Sequence, residues 1–498
     1  MPSEVTATTP DSSTSEGAPT GMDPLALIIA WSSAEPHRIG EVALFPRDGS
    51  TWTLGRGAPP GSGADRAAFL RQRPGEATPT GPLEGAGLSR NQLEVRVRRD
   101  ALLIKRIGKC PVLVNGAASD TEALVPGDTL LLKGQLLLLC ARRAEALPSL
   151  RDFPAGSAGA FGEPDAFGIL GESPAAWRLR EQIGFNAKTD HNLLILGDSG
   201  AGKELAARAV HTLSRRASRP LVARNAATLP SGLVDAELFG NVKNYPNPGM
   251  PERLGLIAQT DGGTLFLDEI GELPWELQAH LLRVLDAGGE YHRLGEALPR
   301  RADIRLVAAT NRAPEELKHD LLARLTLRLT LPSLDARRED IPLFVRILLH
   351  KAAEESPEIG RRFFPSHVDR GAPRVDAPFI EHLLHRSYPT NVRELRTLLW
   401  AAMMGSAGDR VTLTGDILAQ AVPTPAPARP RTDEPTPAEI RKALQQHGNN
   451  LTKVARTLGL PTRYVLYRTI KKLGLELSSL REEEEEGSDG GEERPARR

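Results

Sequence analysis

The apolar run NLLIL leads into Gly197, Asp198, Ser199, Gly200, Ala201, Gly202, Lys203 and Glu204, and a helical pattern, KELAARAVHTLSRR, follows at once. Glycines between a buried strand and a helix let backbone N–H groups turn inward without side-chain clash. The helix N-terminus adds positive potential, and a lysine at its first turn reaches terminal phosphates. The segment therefore has the chemistry of a phosphate cradle. The general pattern places Ser or Thr after the lysine, whereas Glu204 stands there. A second apolar run, Leu265-Phe266-Leu267, ends in Asp268 and Glu269. A carboxylate at such a strand end holds Mg²⁺ through the ion's water shell, which is the expected role of Asp268. Its neighbour Glu269 is placed to orient or deprotonate an attacking water. ATP with Mg²⁺ is the implied ligand, and Asp268 the implied metal contact.

These residues need a scaffold that brings distant strand ends together. From residue 169 to 334 apolar strands (NLLILG, GTLFLDEI, IRLVAATN) alternate with helical stretches such as ELQAHLLRVLDAG, the pattern of an α/β fold with a parallel sheet. Residues 335–421 read as an α-helical subdomain. Before them, residues 22–145 are short apolar stretches broken by Gly, Pro and Asp (LALIIAW, EVALF, LEVRVR, TLLLKGQLLLLC), which predicts an all-β sandwich. Within it the Pro/Gly-rich stretch between Gly57 and Gly87 is expected to be a long loop. Residues 146–168, rich in Ala, Gly and Pro, and the proline-rich 422–437 read as linkers. Residues 1–21 and the acidic 477–498 have compositions that do not bury enough surface to order.

A chain of 498 residues fits such a multidomain plan. Lys plus Arg and Asp plus Glu are both 63, so bulk charge points neither to nucleic acid nor to an acidic protein, and any such signal must be local. It is: from Glu439 to Leu475 eight Lys/Arg face one Glu. That segment, within a domain spanning 438–476, fits three short helices with Gly459 at a tight turn, an all-α helix-turn-helix that sets its last helix in a DNA major groove. On that helix Thr462, Arg463, Tyr464 and Arg468 are expected to reach base edges or phosphates, and Lys471 and Lys472 the backbone. Cys110 and Cys140 cannot form a disulfide framework, which suits a reducing compartment. No apolar run approaches a membrane span and no signal peptide is evident, so a cytoplasmic location is expected.

Taken together, ILGESPA, GDSGAGKE, ELFG, DGGTLFLDEIGELP, AATN, RREDIPL and YPTNVRELR resemble the AAA+ ATPase domain of bacterial sigma-54-dependent transcription activators, continuously from about Ile169 to Ala421. In that family a glutamate after the P-loop lysine is normal. The resemblance implies Asn225 as the switch holding Glu269 off the water, Asn311 as the γ-phosphate sensor and Arg393 as the lid-domain sensor. It implies Lys318 and Arg324 as fingers reaching a neighbouring subunit, hence a homo-oligomeric ring, expected to be a hexamer. Lys318 stands where the family has arginine and lacks the planar fork, so weaker hydrolysis is expected. The family's sigma-54-contacting Gly-Ala-Phe-Thr-Gly-Ala is replaced by Asn244, Tyr245, Pro246, Asn247, Pro248 and Gly249. Two prolines stiffen that loop and the Phe-Thr tip is lost. The basic C-terminal segment is similar to the Fis-type domain that closes this family.

Leu54-Gly55-Arg56, Leu88-Ser89-Arg90 and Val114-Asn115-Gly116 resemble the forkhead-associated domain, a β-sandwich whose loops read phosphothreonine. That implies Arg56 and Ser89 as the phosphate-holding pair with Arg90 beside them. The family's histidine after Ser-x-x is Gln92 here. Two functional expectations follow. One is an ATP-hydrolysing regulator that binds DNA upstream of promoters and remodels sigma-54 RNA polymerase, controlled by a phosphothreonine protein or a self-phosphorylated segment. The other is a sigma-54-independent DNA-binding regulator or scaffold whose ring binds nucleotide without driving the polymerase.

Overall fold

The computed structural model describes residues 23–57, 65–230, 232–286, 288–365, 371–419 and 437–446, together with 454, 466 and 470. The N-terminal part is a two-sheet sandwich. One sheet has eight strands and includes Leu25–Ser32, Thr129–Leu132 and Leu136–Arg142; the other has five and includes Thr51–Leu54, Leu93–Arg98 and Ala101–Arg106. Leu27, Ile29, Leu132, Leu136 and Leu138 fill the space between the sheets. Neighbouring positions Ala30, Leu131, Leu137 and Leu139 point the other way, and they too are buried. A strand covered on both faces carries apolar residues without alternation, which is why TLLLKGQLLLLC has none. The expected long loop before Gly87 is corrected by the strands Asp65–Arg66, Leu70–Arg73 and Glu76–Pro79, with Leu70 pairing to Val42 at the sheet edge. These strands escape a hydrophobic-pattern reading because their residues are mostly polar and, Gln72 apart, half-buried or exposed.

The central part holds a five-stranded sheet in the order Leu221–Asn225, Thr264–Asp268, Arg305–Thr310, Leu193–Leu196, Leu327–Thr330, with every pairing parallel. Gly197, Asp268 and Thr310 therefore meet at the carboxyl edge of one sheet, where open α/β folds bind ligands. The helical lid follows, with Ile341–Glu355, Pro357–Phe363, Ala377–Leu384, Asn391–Gly405 and Gly415–Ala419.

What covers the second face of the sandwich is this lid. Ala30, Leu131, Leu137 and Leu139 share one apolar cluster with Ile341, Val345, Phe379 and Ile380. Trp31 donates its indole N–H to the Val375 carbonyl at 2.8 Å. Thr129 donates to Glu381 Oε1 at 2.6 Å and lies 3.0 Å from His385 Nε2. Arg143, fully buried, donates to Gln72 Oε1, Glu339 Oε1 and the Glu172 carbonyl. Burial pushes the Glu339 carboxyl up to about 7, outweighing the pull of Arg143.

Residues 146–168 run along the same junction. Phe153 and Phe167 meet edge to face at 5.9 Å, and Asp165 binds Arg180 at 2.9 Å with both side chains buried. At the C-terminus the helix Pro437–Gln446 buries Ile440, Ala443 and Leu444; Val454, Leu466 and Ile470 are helical and buried. Thr462, Arg463, Tyr464, Arg468, Lys471 and Lys472, the segments 1–21 and 477–498, and the linker before Pro437 lie outside the described residues.

Candidate nucleotide site

Lys203 opens the helix Lys203–Thr212, and Gly202 at its N-cap has φ +102°. Its Nζ donates to the Gly197 carbonyl at 2.9 Å and lies 3.6 Å from Glu269 Oε1, with the side chain buried. The cationic head is thereby folded back onto its own loop and faces a carboxylate. Asp268 accepts the Glu269 amide at 3.0 Å. Burial raises the Asp268 carboxyl above its ordinary range, while Lys203 pulls it down. Glu269 holds a left-handed backbone, φ +51°. No group of three or more His, Cys, Asp or Glu that could cage a metal occurs among the described residues. This donor set suits Mg²⁺, which keeps several waters and binds through one carboxylate plus substrate phosphates.

The lid closes over the loop. Arg393 donates to Ser199 Oγ at 2.9 Å, and Asn391 Nδ2 donates to the Ser199 carbonyl at 3.1 Å. Gly200 sits so close beneath that an added Cβ would stand 2.3 Å from the Thr390 carbonyl oxygen. Beside the loop opens a 210 Å³ cavity lined by Ile169, Leu205, Leu331, Phe344, Ile347 and Val392, an apolar slot suited to a flat base. Buried Arg337 borders it, its guanidinium 5.2 Å from the Phe344 ring centre and donating to the Leu170 carbonyl at 3.3 Å. Burial lowers its pKa. Sequence reasoning assigned none of these slot residues, because a slot assembled from several separated segments leaves no local pattern.

Residues 169–334 match the model of the Sigma-54 interaction domain. The chain is 36% identical over 312 residues to the transcriptional regulatory protein ZraR of Salmonella typhimurium, covering 60% of this chain and 68% of that protein. The chain belongs to the sigma-54 activator family. It is also 39% identical over 316 residues to the Nif-specific regulatory protein of Azotobacter vinelandii, covering 60% of this chain and 58% of that one. Among solved structures, NtrX from Brucella abortus in complex with ADP covers 62% of this chain and 70% of its own, at 30% identity and a TM-score of 0.44. The central domain of this sigma-54 activator family member is an AAA+ ATPase domain.

Not every residue assigned by resemblance gathers at the cradle. Asn225 stands beside Asp268 in the sheet register, yet its side chain accepts the Ala227 amide at 2.8 Å and makes no hydrogen bond to Glu269. Glu269 is thus turned to Lys203 rather than to Asn225. Asn311 is exposed at the end of its strand, and Glu204 pairs with Arg208 one turn along its helix. Lys318 lies with its Nζ 5.6 Å from the Trp275 ring centre. Arg324 binds Asp286 at 2.6 Å, in a cleft separate from the nucleotide slot. Neither cation contacts this chain's own cradle.

The loop from Asn244 to Gly249 is exposed at its tip but tied at its base. Buried Asn241 donates to the carbonyls of Val242, Tyr245 and Pro251, and Asn244 Oδ1 accepts the Gly249 amide at 3.0 Å. Arg293 donates to the Asn241 carbonyl and to Glu252. Tyr245 packs against Gly295 of the adjoining hairpin. Asn241 and Arg293 were not identified from sequence.

In the sandwich, Arg56 and Ser89 adjoin, with the Arg56 amide donating to the Ser89 carbonyl at 3.1 Å. Arg56 and Arg90 are exposed. Gln92, buried, accepts the Cys110 amide and donates to the Cys110 carbonyl, fixing the end of the loop that carries Ser89. Arg66, also missed, crosses behind the loops to the carbonyls of Arg56, Gly57 and Arg90.

Proposed function

We propose that the protein is an ATP-hydrolysing transcription regulator that assembles as a ring, binds DNA upstream of promoters through residues 438–476 and is controlled through its N-terminal sandwich. One observation carries the reading: Lys203, Asp268, Glu269 and, from the lid, Arg393 converge on a single P-loop. In this reading Lys203 neutralises the terminal phosphates, and Asp268 holds Mg²⁺ through water. Bound Mg²⁺ supplies charge neutralisation on the phosphates. Glu269, already aligned with Lys203, takes a proton from the attacking water. Arg393 reports phosphate occupancy to the lid through Ser199. Lys318 and Arg324, unattached to their own cradle, serve the site of the neighbouring copy. Arg56, Ser89 and Arg90 read a phosphothreonine, and the lid-docked sheet carries that signal to the ATPase.

The loop from Asn244 to Gly249 favours a second reading of the output. Its base is fixed by Asn241 and Arg293 and its tip lacks the Phe-Thr pair, which supports a DNA-binding regulator or scaffold whose ring binds nucleotide without driving sigma-54 polymerase. Open-complex formation with purified sigma-54 polymerase, promoter DNA and ATP separates the two. Activity comparable to that of a family member with the Gly-Ala-Phe-Thr-Gly-Ala loop would remove the second reading, and ATP turnover without open complexes would support it. Absence of ATP turnover would remove the first reading, and absence of nucleotide binding would remove both.

A further inference from the structure

We infer that Asp286 is a positioning residue, holding Arg324 in the pose from which its guanidinium reaches the nucleotide of a neighbouring copy. The inference rests on the trans role of Arg324 proposed above. Asp286 directly follows the helix Trp275–Leu285, and its amide closes that helix on the Leu282 carbonyl at 3.0 Å. Arg324 is the last residue of His319–Arg324. Its carbonyl accepts Asn192 Nδ2 at 3.3 Å, and Asn192 Oδ1 accepts the Leu306 amide at 2.9 Å. Asn192 immediately precedes the strand Leu193–Leu196 that leads into the P-loop. The backbone of Arg324 is thereby fixed to the sheet framework, and its carboxylate partner to the end of the helix Trp275–Leu285.

The form of the ion pair is the informative part. Arg324 Nε donates to Asp286 Oδ1 at 2.6 Å, and neither terminal nitrogen has a partner among the described residues. Other arginines in the same cleft are engaged differently. Arg216 is held at all three nitrogens by Asp190, Gly263 and Asp303, and Arg301 grips Glu290 through Nε and Nη2. Tethering at Nε alone leaves the two-nitrogen edge open, the edge that takes two phosphate oxygens side by side. The pair is 45% and 47% exposed, so it contributes little to fold stability. What it fixes is the direction of a flexible side chain, which sets the rate of a step that depends on placement.

The test uses the full chain. Asp286→Ala should lower kcat about fivefold, the rate equivalent of one exposed ion pair, with nucleotide affinity unchanged, and Asp286→Glu should recover most of it. An unchanged kcat in Asp286→Ala overturns the inference. Mixing Asp286→Ala chains with Glu269→Gln chains, which keep an intact finger, should raise turnover per Asp286→Ala chain about threefold at equal amounts, because half of its sites then face a well-placed arginine. Arg324→Ala mixed in the same way tests the underlying reading. Rescue of Arg324→Ala without rescue of Asp286→Ala overturns the role of Asp286 and leaves the trans finger standing. No rescue of either overturns the trans reading and the inference with it.

Discussion

Replacing Gly200 by alanine should unseat the lid from the P-loop, and Gly202→Ala provides the matched control. Both glycines have positive φ, +74° and +102°. An L-residue in that region costs about 1–2 kcal/mol at either position. The surroundings differ. A Cβ on Gly202 meets nothing within 4 Å, whereas on Gly200 it would stand 2.3 Å from the Thr390 carbonyl oxygen and 3.2 Å from Arg393 Cβ, a separation that backbone must move to relieve. Moving it breaks the two contacts to Ser199 made by Arg393 and Asn391. Each such hydrogen bond contributes about 0.5–1.5 kcal/mol net, so Gly200→Ala should favour the open lid by about 1–3 kcal/mol more than Gly202→Ala does. That difference is a roughly 5- to 150-fold change in the opening equilibrium. Amide exchange of residues 390–393 without nucleotide reads it directly, since exchange there follows local opening. Equal exchange in the two variants would refute the seating of the lid on Ser199.

Glu269→Gln should keep nucleotide binding while lowering turnover about 100-fold or more, measured by ATP binding beside steady-state hydrolysis, because the carboxylate acts on water rather than on the nucleotide. Glu339 is raised from 4.5 to about 7 by burial, so its contribution to stability is full below pH 4.5 and is lost as pH rises through 7. Glu339→Gln, which still accepts from Arg143, should flatten the melting temperature across that window; an unaltered pH profile would exclude Glu339 as its source. Placing Gly-Ala-Phe-Thr-Gly-Ala at positions 244–249 should confer or raise open-complex formation, and a native protein equally active would defeat the loop argument. In the C-terminal domain, Lys471→Ala should weaken binding evenly across DNA sequences and reduce its salt dependence, whereas Arg463→Ala should change sequence preference; uniform loss from both would reduce Arg463 to a phosphate contact.

The parts of the site that were legible beforehand are those whose chemistry is contiguous. The phosphate loop is one strand, one turn and one helix start, so its glycines and Lys203 appear in order along the chain. The paired carboxylates end one buried strand, and the alternation of strands and helices implied the parallel sheet that brings both to the same edge. That α/β reading is borne out, as is a β-rich N-terminal part. Misread was the edge hairpin before Gly87, because mostly polar strands carry no hydrophobic period.

Sequence alone determined which residues can do chemistry and which local elements carry them, since backbone preferences and hydrophobic period act over a few residues. The tertiary structure decided how those elements meet. The apolar slot beside the P-loop is drawn from several separated segments, Arg143 reaches Glu339 across 196 positions, and the second apolar face of the sandwich is covered by the lid. Asp286 and Arg324, separated by 38 positions, face each other because two helix ends pack side by side. Such contacts are selected by packing of the whole chain, and a side chain that only orients another leaves no spacing, charge run or period by which to read it.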